Sequence, residues 1–335
     1  MIMTTKNKYS FLSRALANCA VAFIFVLALS SCTKSDSSKP FVLLLLKSSS
    51  TEFFQEIDKG FREGWTDPDI SVLVQSGRNT SDIETQKKAL DIVALKNERM
   101  HNLRGVVITP SASGRELLQQ IKRLRDSGVP VLLVDTGIDQ QLMRSEHTDY
   151  NAFLASDNIG GGAIAAQTLW EGMGSGSKSC RLLVLGGHSA SDTAQQRRDG
   201  FLKEFERLQV EAKADCPTPI EKTAEWDRSQ AREIVKALYA SGQIFDGIFA
   251  ANDDMALGAL EAWTASSKSN KPIIVGFDAI NEARTQIDNG HIYASIAQNP
   301  YEMGNRAAKS LLRIINDHSL EVFSKMAIPV TVVKR

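Results

Sequence analysis

Three apolar runs late in the chain each stop on a polar side chain. Ile244 to Ala251 (IFDGIFAA) leads into Asn252-Asp253-Asp254, Ile273-Ile274-Val275-Gly276 leads into Phe277-Asp278, and Ile292 to Ala297 leads into Gln298-Asn299-Pro300. Short runs rich in β-branched residues are strand patterns. Helical patterns follow at Met255–Trp263 and at about Asn281–Asp288, with Asn289-Gly290 as a helix stop. In a parallel α/β sheet, ligands bind in the crevice outside the carboxyl ends of the strands. Asn252, Asp278 and Gln298 would all sit there, offering amide and carboxylate groups to a polar ligand. Any one of them would serve equally well as a helix N-cap. Three in succession point to a ligand.

Two other motifs suggest different chemistry. Gly160-Gly161-Gly162-Ala163-Ile164-Ala165 satisfies G-x-G-x-x-A after the strand pattern AFLAS, the form of a dinucleotide fingerprint. The next strand, RLLVLGG, ends in glycine where an acidic residue should meet the ribose, so no cofactor is expected. Gly187-His188-Ser189-Ala190-Ser191 nearly matches the nucleophile elbow G-x-S-x-G, with Ser191 in place of the glycine that permits the sharp turn. A serine hydrolase using Ser189, with His291 or His318 as base, is the enzyme alternative. Otherwise the segment is a loop approaching ligand. The five histidines are scattered without metal-ligand spacing, so no metal is expected.

The elements that must position these residues alternate regularly. FVLLLL precedes TEFFQEIDKGFREGW, ISVLVQ precedes SDIETQKKALDIVALKN, GVVIT precedes GRELLQQIKRLRDSG, and VPVLLVD follows. This is βα repetition, the mark of an α/β fold with a parallel sheet and helices on both faces. Ser81 and Glu84 read as a capping box that starts the second helix. After the polar segment TGIDQQLMRSEHTDYN the alternation resumes and continues through a strand near Thr218–Thr223 and a helix at Asp227–Ser241. About ten strands is large for one open sheet, and the loop near 137–151 invites division into two lobes.

AANDDMALGAL, VGFDAINEA and ASIAQNP, in that order, resemble the ribose/galactose type of periplasmic sugar-binding protein, whose fold is shared with the lactose-repressor core. The similarity runs from about Pro40 to the C-terminus. The resemblance implies a type I periplasmic binding fold, with two lobes joined by a three-segment hinge crossing near Ser156-Asp157, near Gln298-Asn299 and before the last strand, IPVTVV. The lobes would be 40–156 plus 299–328 and 157–298 plus 329–335. It also implies a ligand set. Phe53-Phe54 matches an aromatic pair that stacks on a sugar, although either ring would also serve as core. Trp226 matches a stacking aromatic of the opposite lobe, and beside Glu225, Asp227 and Arg228 it would be an unusual core residue. Asp135 matches the sugar-binding Asp, while Thr136 stands where ribose-type members carry Arg. Arg197 falls on a ligand-binding Arg, with the adjacent Arg198 able to exchange roles with it. Asp157 and Asn158, at the crossover, would bind ligand or cap the next helix. The implied protein is no enzyme. It is a monomer that closes on a small neutral sugar or polyol and presents it to an ABC transporter permease or, alternatively, to a chemoreceptor or sensor histidine kinase.

At 335 residues, 43% hydrophobic and 23% charged, the composition is that of a globular protein of about two domains. Three of the 39 basic residues and none of the 39 acidic ones fall within residues 1–31. The remainder is mildly acidic and has no electrostatic footprint for nucleic acid. Residues 1–31 form a signal peptide, basic to Arg14 and apolar from Ala15. The apolar run is shorter than the roughly 20 residues of a membrane span. Leu29-Ser30-Ser31-Cys32 resembles the bacterial lipoprotein signal, which implies lipidation of Cys32 and anchoring in the periplasm or at the cell exterior; an ordinary secretory signal with an incidental Cys is the other interpretation. Residues 32–39 are a polar, serine-rich tether. Export leaves Cys180 and Cys216 as disulfide candidates. Each lies just before a strand of one βαβ unit, at the end of the sheet opposite the ligand.

Overall fold

The computed structural model describes residues 39–335 apart from 112–113, 139, 175–179, 267 and 318–323. Cys32, its leader and His318 lie outside the described residues. The chain lays down β1 (Phe41–Leu46), α1 (Glu52–Gly64), β2 (Ser71–Ser76), α2 (Ile83–Met100), β3 (Leu103–Ile108), a 3-10 turn running into α3 (Leu118–Asp126), β4 (Val131–Val134), α4 (Gln140–Ser145) and β5 (Ala152–Ser156). A second series follows: α5 (Asn158–Gly172), β6 (Leu182–Gly186), α6 (Asp192–Ala212), β7 (Ile220–Thr223), α7 (Arg228–Ala240), β8 (Gly247–Ala250), α8 (Asp253–Thr264), β9 (Ile273–Asp278), α9 (Asn281–Asp288) and β10 (Ala294–Ala297). The chain then returns to the first sheet through α10 (Pro300–Asp317) and β11 (Ser324–Ile328), and ends in β12 (Thr331–Lys334) beside β10.

Two six-stranded sheets result, ordered β11-β5-β4-β3-β1-β2 and β12-β10-β9-β8-β6-β7, each the core of one lobe. In both, the order reverses beside the first strand, between β1 and β3 and between β6 and β8. Such a switch point opens a crevice between the loops that leave the two strands. All described pairings are parallel except β10 with β12, which is antiparallel. The expected last strand, IPVTVV, is thus two strands in two sheets, separated by Pro329 and Val330. The 137–151 segment, expected as a loop, holds α4 between β4 and β5.

Burial on both faces explains the apolar runs. Val42 to Leu46 are at most 1% exposed. Val42, Leu44 and Leu46 pack with α1 and α10, while Leu43 and Leu45 pack with α2 and α3. A strand covered on both sides has no polar face, so its sequence does not alternate. At α2 the cap is Asp82 rather than Ser81: its Oδ1 accepts from the Thr85 N–H, and the helix starts one residue later than the capping box implied. The last glycine of the G-x-G-x-x-A motif, Gly162, and Gly200 of α6 serve packing of α5 against α6. A Cβ at Gly162 would enter the α6 backbone at Arg197 and Phe201, and one at Gly200 would enter the α5 backbone at Ile159.

Cys180 and Cys216 form a disulfide, with Cα atoms 5.3 Å apart, at the amino ends of the neighbouring parallel strands β6 and β7. The separation of 36 residues gives a stabilisation of about 3 to 4 kcal/mol on the chain-entropy model. Cys216→Ser is expected to lower the unfolding free energy by about 3 kcal/mol in denaturant titrations. Because the bridge and the carboxyl ends of the strands are at opposite ends of the sheet, chemistry at those ends should be untouched. Equal stability of variant and parent would show that the bridge contributes nothing.

Candidate functional site

The loops at the carboxyl ends of both sheets converge on a cavity of about 430 Å³, within the usual range for a small-molecule site. From the first lobe come Lys47, Phe53, Phe54 and Asp135, and from the second Arg197, Trp226, Asn252, Asp278 and Gln298. Eight of these nine were expected from the sequence. Lys47 was not.

Lys47 follows β1 directly and is 9% exposed. Its Nζ donates to Asp135 Oδ2 at 2.6 Å and to Thr136 Oγ1 at 2.5 Å. A buried ammonium requires such a partner. Thr136 is fully buried, outside the cavity lining, where its hydroxyl braces Asp135 and Lys47. The signal for Lys47 was present, since a polar residue ending an apolar strand is the pattern that marked Asn252, Asp278 and Gln298.

On the opposite wall, Arg197 projects from α6 and is 2% exposed. Its Nε donates to Asn158 Oδ1 at 2.9 Å, and one terminal nitrogen donates to the Ala251 carbonyl at 2.7 Å. The guanidinium carbon lies 3.7 Å from the Phe277 ring centroid, and a terminal nitrogen lies 3.7 Å from Asp278 Oδ1. Arg198 is ion-paired outside with Glu221 and Asp199, which separates the two adjacent arginines into a cleft residue and a solvated one. Asn158 therefore sits behind Arg197 rather than in the cavity lining. Asp157 is also outside the lining; it is exposed and caps α5 by accepting from the Gly160 N–H.

The three strand-end residues divide in an informative way. Asn252 caps α8, accepting from the Met255 N–H at 2.9 Å, and lines the cavity as well. Asp278 and Gln298 cap nothing among the described bonds. Gln298 Nε2 donates to Asp278 Oδ1 at 2.5 Å, and its Oε1 accepts from Ser156 Oγ at 2.7 Å. The amide orientation is thereby fixed from the interlobe crossing. Asp278 and Ala279 have φ of 112° and 56°. This strained turn is held by Asp253, fully buried, which accepts from Ile280 N–H and Ser295 Oγ.

The aromatic walls are built differently on the two sides. Phe53 and Phe54 meet edge to face at 5.2 Å. Trp226 has φ of 64° and follows Glu225 at 54°, and its indole lies where a side chain at Gly187 would have to go. The glycine of GHSAS thus makes room for Trp226. Ser189 is exposed at the carboxyl end of β6, whereas His291 precedes the parallel strand β10, at the opposite end of the same sheet, so His291 cannot act on Ser189.

Burial pushes the Asp278 carboxyl up to about 7, against the pull of Arg197 and the Gln298 amide. Burial likewise raises Asp253, with Asp278 adding to it, and lowers Arg197 against the opposing effect of Asp278, Asp135 and Asp253. For Asp278 the folded value lies above the ordinary 3.8. The folded state therefore holds the proton more tightly, and stability from this group is lost as pH rises from about 4 to about 7. Asp278→Asn cannot ionise and should stabilise the ligand-free protein at about pH 8, by about 1 kcal/mol or more, with little effect at about pH 4. Equal gains at both pH values in thermal melts would contradict this.

Comparison with known proteins places the chain. The model of the periplasmic binding protein domain matches residues 42–319. The D-allose-binding periplasmic protein of Escherichia coli K12 is 25% identical over 270 residues, 80% of this chain and 82% of that protein. The ribose import binding protein RbsB of Bacillus subtilis 168 is 26% identical over 291 residues, 86% of each. An ABC transporter periplasmic solute binding protein from Actinobacillus succinogenes, solved with bound D-allose, matches with a TM-score of 0.76 at 25% identity, covering 88% of this chain and 98% of that one. Since the match runs from β1 through α10 and so takes in both sheets, the chain belongs to the periplasmic binding protein family.

Proposed function

We propose that the protein is a lipid-anchored, monomeric receptor for a neutral monosaccharide or polyol of the ribose and allose class, which it delivers to an ABC importer. The observation that carries this reading is the pairing of surfaces in the cavity. Aromatic side chains from both lobes, Phe53 with Phe54 and Trp226, line it together with fixed donors and acceptors. Sugars have apolar C–H faces and a polar edge, so plates on the faces and charged groups at the edge suit both. Each cation of the rim is already matched to a carboxylate, Lys47 to Asp135 and Arg197 to Asp278, which favours hydroxyls over an anionic ligand. Lys47 supplies beside Asp135 the cation that the Arg of ribose-type members would supply at Thr136. The names of the relatives, one a D-allose-binding and one a ribose import protein, support both ligand class and route.

The lobes divide at 156/157, 298/299 and 328/329, and the ligand favours closure because it bridges residues of both. Removing a charged partner from the closed cleft costs about 2 kcal/mol, roughly 30-fold in affinity. Across a monosaccharide and polyol panel, Asp278→Ala and Trp226→Ala should each strongly weaken ligand-induced thermal stabilisation while leaving the protein folded. A variant that bound its sugar within about threefold of the parent, less than about 0.7 kcal/mol, would sink the assignment of the cleft.

Anchoring rests on Leu29-Ser30-Ser31-Cys32, since more than one acyl chain on the Cys32 thiol gives stable membrane attachment. The residues 32–39 then form the tether to β1. Cys32→Ser should leave the precursor unprocessed or release the protein from membranes, and unaltered processing with detergent partitioning would count against the anchor.

A further inference from the structure

Two helices begin at the mouth of the cleft from opposite lobes, and neither has a side-chain cap of its own. α1 starts at Glu52 after Thr51, whose buried hydroxyl makes no capping bond. α9 starts at Asn281 after Ile280, which has no side-chain oxygen. A helix start leaves its first amides without intrahelical partners, and a carboxylate there is favoured by the helix dipole. The Glu52 carboxylate occupies this junction. It stands in the first turn of α1 and accepts the Asn281 N–H of α9, at 3.2 Å to Oε2 and 3.4 Å to Oε1. The positive ends of two helices, one per lobe, thus converge on one carboxylate. The preceding amide, Ile280 N–H, is satisfied within its own lobe by Asp253 at 2.9 Å, whereas the Asn281 amide reaches across to Glu52.

We propose that Glu52 is an interlobe latch, capping α9 in trans and setting ligand affinity by favouring closure rather than by holding the ligand. The contact exists only while the lobes are together. On opening, the Asn281 amide returns to water and α9 loses the Glu52 carboxylate of the opposite lobe. An interaction made in one state alone shifts the equilibrium towards that state, and a ligand that binds there gains affinity. α9 is eight residues long, so its first turn is a large share of it. That turn adjoins the strained 278–279 backbone that presents Asp278, so the latch also steadies a ligand-facing group.

The affinity part of the proposal rests on the sugar-binding reading, whereas the cap can be tested without any ligand. In the ligand-free protein, Glu52→Ala should raise hydrogen exchange of the first-turn amides of α9 about three- to tenfold over the parent. Glu52→Gln should fall between the two. Ile280→Ser gives α9 a local cap and should restore protection in the Glu52→Ala background. With D-allose and D-ribose as probes, Glu52→Ala should speed dissociation about three- to tenfold while association stays within about twofold. Ile280→Ser alone should also weaken binding, because the open state is then capped too, and adding Glu52→Ala should cost nothing more. Additive losses in the double variant would make Glu52 a direct ligand contact and overturn the latch. Unchanged exchange at α9 in Glu52→Ala would overturn it whether or not a sugar binds, and a panel without any ligand would overturn the sugar reading alone.

Discussion

Arg197 is a guanidinium almost without solvent, and the carboxyl chemistry of the second lobe is arranged around it. An uncompensated buried cation costs several kcal/mol, so its position dictates its surroundings. Asn158 and the Ala251 carbonyl take two of its donors, Phe277 lies under its plane, and Asp278 stands within ion-pair range. Those partners belong to α5, the end of β8 and the end of β9, so one side chain ties together three elements distant in sequence. The dependence is mutual. Asp278 and Asp253 are both raised by burial, and the guanidinium is the charge that makes an ionised Asp278 tolerable at that depth. On the facing wall Lys47 pairs with Asp135 at 2.6 Å, and the ligand space lies between these two pairs.

Backbone strain marks the same region. Of the eight non-glycine residues with positive φ among the described residues, five (Asp135, Glu225, Trp226, Asp278 and Ala279) stand where strands of the two sheets end at the cleft. Such conformations cost about 1 to 3 kcal/mol each and persist only where neighbours enforce them. Here the enforcement is visible, in Asp253 and Ser295 behind the 278–280 turn and in the Asn252 amide on the Trp226 carbonyl. Rigid placement of binding groups before the ligand arrives lowers the ordering cost of association.

Much of this could be read from the residues alone. The apolar runs named the strands because doubly covered strands do not alternate, and the strand-end rule found Asn252, Asp278 and Gln298. The same rule applied to FVLLLL points to Lys47, the polar residue on which that run ends. Depth was harder to read. Nothing in QQRRDGF says which arginine faces in; that is decided by the phase of α6 against α5. Asp157 and Asn158 belong to the crossover, but whether such residues meet ligand or support those that do depends on a layer of packing that periodicity does not encode. The division of IPVTVV was also hidden, because a proline between two short strands looks like an irregularity in one.

The return of α10 to the first lobe has a consequence for the order in which the protein can be made. Met303, Ala307, Ala308 and Leu311 belong to the same core as Val42, Leu44 and Leu46, and β11 and β12 then add an edge strand to each sheet. When β5 has left the ribosome, every strand between β1 and β5 exists, yet one face of that sheet is covered by α1 alone and still lacks α10. About 160 further residues must be translated before α10 is present. Until then that face of the first lobe exposes apolar surface, although the residues of the other two cores, which end at Tyr150 and Ile296, have already been made. The first lobe is thus begun first and completed after the second, and this order follows from topology alone.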